Sequence, residues 1–142
     1  MRNLNRLELK SNKITKIENL NNLENLKLLT LSCNLINTIS EEDLPVINNL
    51  EELGLFGNFL GVDYVQFNNN INFDISTEED FYLKIDNQNL TFLENILELL
   101  NTKFKNLKKL YLGGNNFSKL RNFRKIVRDK LDNIKFLDGQ NI

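Results

Sequence analysis

The stretch N-L-K-K-L-Y-L-G-G-N-N-F, residues 106–117, carries leucines at 107, 110 and 112, then Asn115 and Phe117. An apolar alternation reads as a strand, yet this one ends on asparagine, a residue that strands disfavour. The same ruler fits three more times. It fits Leu4, Leu7, Leu9, Asn12 and Ile14, then Leu26, Leu29, Leu31, Asn34 and Ile36, then Leu50, Leu53, Leu55, Asn58 and Leu60. Asparagine is abundant in this chain, at 26 of 142 residues, so it counts as a signal only where spacing demands it. Here it does, because the first three of these asparagines stand 22 and 24 residues apart.

The spacing L-x-x-L-x-L-x-x-N-x-L is that of the leucine-rich repeat. Each unit is a short strand, a turn and a return segment that cannot bury its own apolar face, so units must stack. Stacking puts Leu7, Leu29, Leu53 and Leu110 in one column and Leu9, Leu31, Leu55 and Leu112 in the next. Where each strand turns inward, backbone groups would be buried without partners. An asparagine amide offers two donors and an acceptor, so Asn12, Asn34, Asn58 and Asn115 are expected to form a structural ladder.

From Asn58 to Asn115 is too long for one repeat. A degenerate copy is expected inside it, with Leu83, Ile85, Gln88 and Leu90 in register and Gln88 in the asparagine's place. Residues 61–80 would be an irregular connection, with S-T-E-E-D capping a helical turn. T-F-L-E-N-I-L-E-L-L-N-T-K-F, residues 91–104, repeats its apolar residues at helical spacing. Beyond Asn115, Leu120, Phe123, Val127 and Leu131 outline a terminal helix, Ile134 and Leu137 resume the columns, and Leu137-Asp138-Gly139 turns the chain away. The expected architecture is a single α/β domain, residues 1–142. Residues 1–60 are regular repeats, 61–106 the connection and degenerate repeat, and 107–142 the last repeat and cap. A curved parallel sheet of about six short strands would line the concave face, with helical or irregular segments on the convex face.

Phe123-Arg124, Val127 and Leu137-Asp138-Gly139 resemble the C-terminal cap of the short intracellular leucine-rich-repeat proteins. That family includes the leucine-rich regulatory subunit of protein phosphatase 1 and the A-prime protein of a spliceosomal particle. N-K-I-T-K-I-E-N-L-N-N-L-E-N-L, residues 12–26, looks most like the phosphatase subunit's repeat, whereas size and cap are as close to the spliceosomal protein. The resemblance covers about residues 4–60 and 107–142 and implies a binding scaffold or regulatory subunit in the cytoplasm or nucleus. Met1 stands only three residues before the first repeat leucine, so the first strand is a bare edge or the natural protein extends upstream.

Catalytic chemistry has little to work with. There is no histidine, hence no imidazole base and no typical zinc site. No enzyme activity, metal or cofactor is expected. Cys33 precedes Asn34 at the turn, where a small buried residue is expected, and as a single cysteine it makes no disulfide within the chain. Gly113-Gly114 lacks the Lys-Ser/Thr of a phosphate loop. The acidic runs Glu41 to Asp43 and Glu78 to Asp80 read as solvated loops, and two glycosylation sequons, at Asn89 and Asn116, as chance matches.

Function must then lie on a surface. Side chains flanking the core leucines point out of the concave sheet. The candidate partner-binding set is Arg6, Glu8, Leu28, Glu52, Phe56, Tyr82, Lys84, Lys109, Tyr111 and Phe136. Exposed aromatics among charges are the usual make-up of protein-binding hot spots, although each could also lean on a neighbour. A protein partner is expected, no membrane, and a monomer, with edge pairing of the first strand open but not favoured. Charge offers an alternative. Residues 101–142 hold eleven Lys or Arg against three acids, and residues 1–100 hold seven against sixteen. Lys119, Arg121, Arg124, Lys125 and Arg128 could contact RNA phosphates in a ribonucleoprotein, or the two charged ends merely keep the molecule soluble. A fragment of a larger leucine-rich-repeat protein is a further alternative.

Overall fold

The computed structural model describes residues 3–63 and 78–142. Three-residue strands β1 (Arg6–Glu8), β2 (Leu28–Thr30) and β3 (Glu52–Gly54) follow one another, then helix α1 (Glu78–Lys103) and strand β4 (Lys109–Tyr111). A 3-10 turn (Asn116–Lys119), helix α2 (Phe123–Lys130) and strands β5 (Phe136–Leu137) and β6 (Gln140–Asn141) complete the order. The six strands form one sheet in sequence order. It is parallel from β1 to β5, and β6 folds back antiparallel on β5.

The register is the one the leucine columns demand, with Leu7 opposite Leu29, Leu29 opposite Leu53, Leu53 opposite Leu110 and Leu110 opposite Leu137. Leu29, Leu53, Leu110 and Leu137 are buried, as are Leu31, Leu55 and Leu112 in the next column, while Leu7 and Leu9 at the open end are only partly covered. Each strand starts the same way. One carbonyl accepts from two successive N–H groups of the following repeat: Asn5 from Lys27 and Leu28, Lys27 from Glu51 and Glu52, Glu51 from Lys108 and Lys109, and Lys108 from Lys135 and Phe136.

The ladder closes at three of its four expected rungs, Asn34, Asn58 and Asn115, while Asn12 is exposed. Asn58 donates to the carbonyls of Leu31 and Leu55, both at 3.0 Å, and accepts from the Ile36 N–H at 3.1 Å. Asn115 repeats this with Leu55, Leu112 and Leu60, and Asn34 with Leu9, Leu31 and Ile14. The residue before each ladder asparagine has a left-handed backbone: Ser11, Cys33, Gly57 and Gly114, with φ of 59°, 57°, 65° and 72°. That geometry turns Cys33 outward, so it is exposed rather than buried as expected.

A second asparagine column accompanies the first. Asn49 donates to the Glu24 carbonyl and Asn106 to that of Asn48, both at 2.8 Å, and Asn133 to that of Lys105 at 2.9 Å. Each stands just before a core residue (Leu50, Leu107, Ile134) and ties its return segment to the previous repeat.

The degenerate repeat is not there. Residues 78–103 are one continuous helix, and β3 pairs directly with β4. Ile85, Asn89, Leu93, Ile96, Leu97 and Leu100 are buried at helical spacing, whereas Leu83 and Gln88 are exposed. The sixth strand comes instead from the β5–β6 hairpin, whose corner Asp138-Gly139 holds φ of 52° and 77°, the pattern an Asp-Gly hairpin turn needs. The cap expected from S-T-E-E-D falls at Ser76 and Thr77, outside the described residues.

Helix α1 finishes on the repeat stack, where the Ile47 N–H donates to the Lys103 carbonyl at 3.1 Å. Its far side meets the cap through aromatic rings. Phe117, fully buried, lies 6.3 Å from Phe92 of α1 and 6.0 Å from Phe123 of α2 between ring centroids. The expected cap helix is present, with Phe123, Val127 and Leu131 buried.

Candidate protein-binding face

Strand alternation places Arg6 and Glu8 of β1, Leu28 and Thr30 of β2, Glu52 and Gly54 of β3, Lys109 and Tyr111 of β4, and Phe136 of β5 on the concave face. One row runs Arg6, Leu28, Glu52, Lys109, Phe136, each opposite the next in register. In that row the Lys109 ammonium lies 3.5 Å from the Glu52 carboxylate and 6.0 Å from the centre of the Phe136 ring. Arg6 forms an ion pair with Glu8 two residues along its own strand.

The floor beside this row is small by necessity. A Cβ on Gly54 would stand 2.6 Å from the Thr30 hydroxyl and 2.9 Å from that of Ser32, so any larger residue would have to push these side chains aside. Glycine also makes room for Phe56. A Cβ on Gly113 would come within 3.1 Å of the Phe56 ring, which lies beside the turn after β4 and stays 45% exposed. Tyr111 is half-buried and Phe136 exposed at the far end.

Tyr82 and Lys84 must be withdrawn from this set. Both belong to α1 and are not on the sheet, because the strand assigned to them does not exist. Asp138, at the β5–β6 corner, accepts with its carboxylate from the N–H groups of Leu112 and Gly113 at 2.8 and 2.9 Å. It thereby does at the cap what a backbone carbonyl of the following strand does elsewhere, as that of Tyr111 does for the Leu55 N–H.

Sequence reasoning missed an apolar pair at the turn. Leu35 and Phe59 are 43% and 50% exposed at equivalent places in neighbouring repeats, each directly after its ladder asparagine. The variable position in N-x-L carried that signal, since it reads Lys13, Leu35, Phe59 and Asn116.

The basic cap is more committed than its charge suggests. Arg124 donates to the carbonyls of Leu137 and Asn141 at 3.2 and 3.1 Å, clamping the terminal hairpin. Lys125 and Arg128 both reach Asp129 at 3.3 Å, and Lys130 reaches Glu94 of α1 at 3.2 Å. Burial alone would raise the Asp129 carboxyl, but the bonds from Lys125 and Arg128 outweigh it and hold the group below its usual range. Arg121 is exposed, and Lys119 lies at the end of the 3-10 turn. Among the described residues no cluster of His, Cys, Asp or Glu could hold a metal ion, and no helix is long and apolar enough to cross a membrane.

Comparison with known proteins agrees with this geometry. Residues 2–60 match the leucine rich repeat family. The fold is a leucine-rich-repeat solenoid. Sixteen chains of solved structures match it. One is from the crystal structure of the Drosophila melanogaster SNF/U2A′ complex, at 26% identity with a TM-score of 0.59. That match covers 99% of this solenoid but 63% of the other chain, so the solenoid spans less than two thirds of its neighbour. The resemblance to the spliceosomal A-prime protein read from the cap motif is thus shown across nearly the whole chain. No curated protein matches.

Proposed function

We propose that the protein is a non-catalytic scaffold that binds a partner protein through its concave face. The observation that carries this is the row Glu52, Lys109, Phe136 beside Phe56 and Tyr111. Charge and aromatic surface stand together on three adjacent strands, already held in register before any partner arrives. Such preorganisation lowers the entropy lost on binding, and aromatic side chains carry much of the energy at protein interfaces. The structural neighbour is itself part of a protein complex, which supports a protein partner and a nuclear setting here.

Affinity purification with the wild-type chain, run beside a Phe56→Glu, Tyr111→Glu double variant, tests the reading. Circular dichroism checks that the variant folds. The partner is expected to vanish from the variant's eluate while the fold survives. A partner retained by a folded variant would remove the concave face from consideration.

A second reading, favoured by the net positive cap and by the named neighbour, is a ribonucleoprotein role in which Lys119, Arg121, Lys125 and Arg128 touch RNA phosphates. Arg124 contributes less to it because its guanidinium already serves two carbonyls. RNA recovered equally with wild type and double variant would favour that reading.

A further inference from the structure

The first rung of the ladder differs from the others. Asn34, Asn58 and Asn115 each accept an N–H from the preceding repeat, from Ile14, Ile36 and Leu60. Asn12 is exposed, and its amide donates only within its own repeat, to the carbonyls of Leu9 and Lys10 at 3.0 and 3.3 Å. Leu4, Leu7, Leu9 and Ile14 beside it are partly covered, unlike their buried counterparts further along.

The backbone of β1 shows which way this edge is primed. The Asn5 carbonyl accepts from Leu28 and the Leu9 N–H donates to Thr30, so these residues face β2. Alternation then directs the N–H and C=O of Arg6 and Glu8 to the open side. The equivalent groups of β2 confirm the direction, since the carbonyls of Thr30 and Ser32 accept from the upstream repeat at 2.8 and 3.0 Å.

We infer that β1 is a dimerisation edge, on which two copies of this chain pair antiparallel about a two-fold axis through Leu7. In that register Arg6 faces Glu8 of the second copy, and Glu8 faces its Arg6. Both positions turn their backbone groups outward, so each pair exchanges both of its hydrogen bonds. Their side chains share one face, so opposite charges meet twice across the seam. Leu7 faces its own copy on the core side and gains the cover it lacks. Neighbouring registers of the same parity fail. Centring on Arg6 sets Arg6 against Arg6, and centring on Glu8 sets Glu8 against Glu8 and Arg6 against Lys10. Residues Arg-Leu-Glu are therefore self-complementary in one register, as a two-fold interface requires. The contact departs from the expected monomer and draws Arg6 and Glu8 from the concave face, but it leaves Phe56, Tyr111 and Phe136 unoccupied.

Sedimentation equilibrium of the full chain over a dilution series tests this. A mass near twice 16.6 kDa at high concentration should fall toward 16.6 kDa on dilution. Arg6→Glu and Glu8→Arg each place like charges across the seam, and each should raise the dissociation constant at least about tenfold. Mixing the two single variants should restore the dimer, because an all-acidic edge then meets an all-basic one. The ion pair inside one strand cannot produce that rescue. A mass of 16.6 kDa at every concentration overturns the inference. So does a dimer indifferent to both variants, or single variants that dissociate and stay apart when mixed.

Discussion

Residues 4–60 and residues 78–131 bury similar leucines and phenylalanines by different means. In the first region a short unit recurs, and so does its backbone problem: at every turn the same carbonyls and N–H group are enclosed. One asparagine per repeat meets the need, at Asn34 and Asn58 and again at Asn115. In the second region a 26-residue helix satisfies its own backbone and spans the gap where repeats would have stood. It still supplies an asparagine. Asn89, fully buried in α1, accepts from the Val62 N–H at 2.8 Å as the chain leaves the third repeat. A repeated fold thus repeats its polar solution, and an interruption must find a single-use one.

The comparison breaks most visibly at the aromatic packing between α1 and the cap. The buried Phe117 ring joins α1, the 3-10 turn and α2. Phe117→Ala should cost about 3–5 kcal/mol in urea unfolding, through lost burial and the cavity left behind. Loss of α2 protection in hydrogen exchange should come before that of β2 and β3. Simultaneous loss everywhere would show that cap and repeats unfold as one unit.

Next comes the ladder itself. Asn58→Ala leaves the carbonyls of Leu31 and Leu55 and the Ile36 N–H without their partner, and about 1–3 kcal/mol should be lost. Asn12→Ala should cost only a few tenths of that range, because water reaches what Asn12 serves. Equal effects at the two positions would refute the role assigned to burial.

The turn before each asparagine gives a smaller and opposite effect. Cys33 holds a left-handed backbone that costs an ordinary residue about 1–2 kcal/mol, while the extra freedom of an unfolded glycine returns about 0.5–1 kcal/mol of it. Cys33→Gly should therefore stabilise slightly. Gly114→Ala should destabilise, since its Cβ would also press within 3.1 Å of the Gly57 backbone. A destabilising Cys33→Gly would mean that the thiol makes contacts worth more than the strain.

These contrasts also show what the sequence could reveal. Leu7, Leu29, Leu53, Leu110 and their asparagines were legible because one physical need recurs at fixed spacing. The degenerate repeat expected at Leu83, Ile85, Gln88 and Leu90 is absent: Leu83 and Ile85 two apart fit a strand, but Ile85, Asn89 and Leu93 four apart fit a helix better. The repeat template decided between them wrongly. The second asparagine column went unseen because Asn-Leu is ordinary in a chain with 26 asparagines. On the candidate face, Phe56, Tyr111 and Phe136 were placed by alternation alone. Asp138 was not, since a hairpin corner has no strand period to follow.

The smallest expected effect concerns how adjacent return segments are tied. Lys16 of the first repeat donates to the Asp43 carboxylate at 2.8 Å, and the Ser40 N–H reaches the same group at 3.3 Å. The bond from Lys16, then that from Ser40, holds the Asp43 carboxyl below its ordinary value, and Asp43 in turn raises Lys16. A carboxyl whose pKa is lower folded than unfolded stabilises the fold above its unfolded pKa and loses that contribution as pH falls through the folded one. A raised lysine contributes fully below its unfolded pKa and loses its share as pH rises through the folded one. The stability difference between wild type and Asp43→Asn should therefore be flat through neutral pH. It should shrink in acid, below the usual carboxylate range, and again in strong alkali. Second-region pairs such as Lys125 with Asp129 lie within one helix, so breaking them should leave the spacing between repeats untouched. A wild-type advantage that grew in acid would show that Asp43 is protonated more readily in the fold than in the open chain, and that the tie between the first two repeats is not ionic.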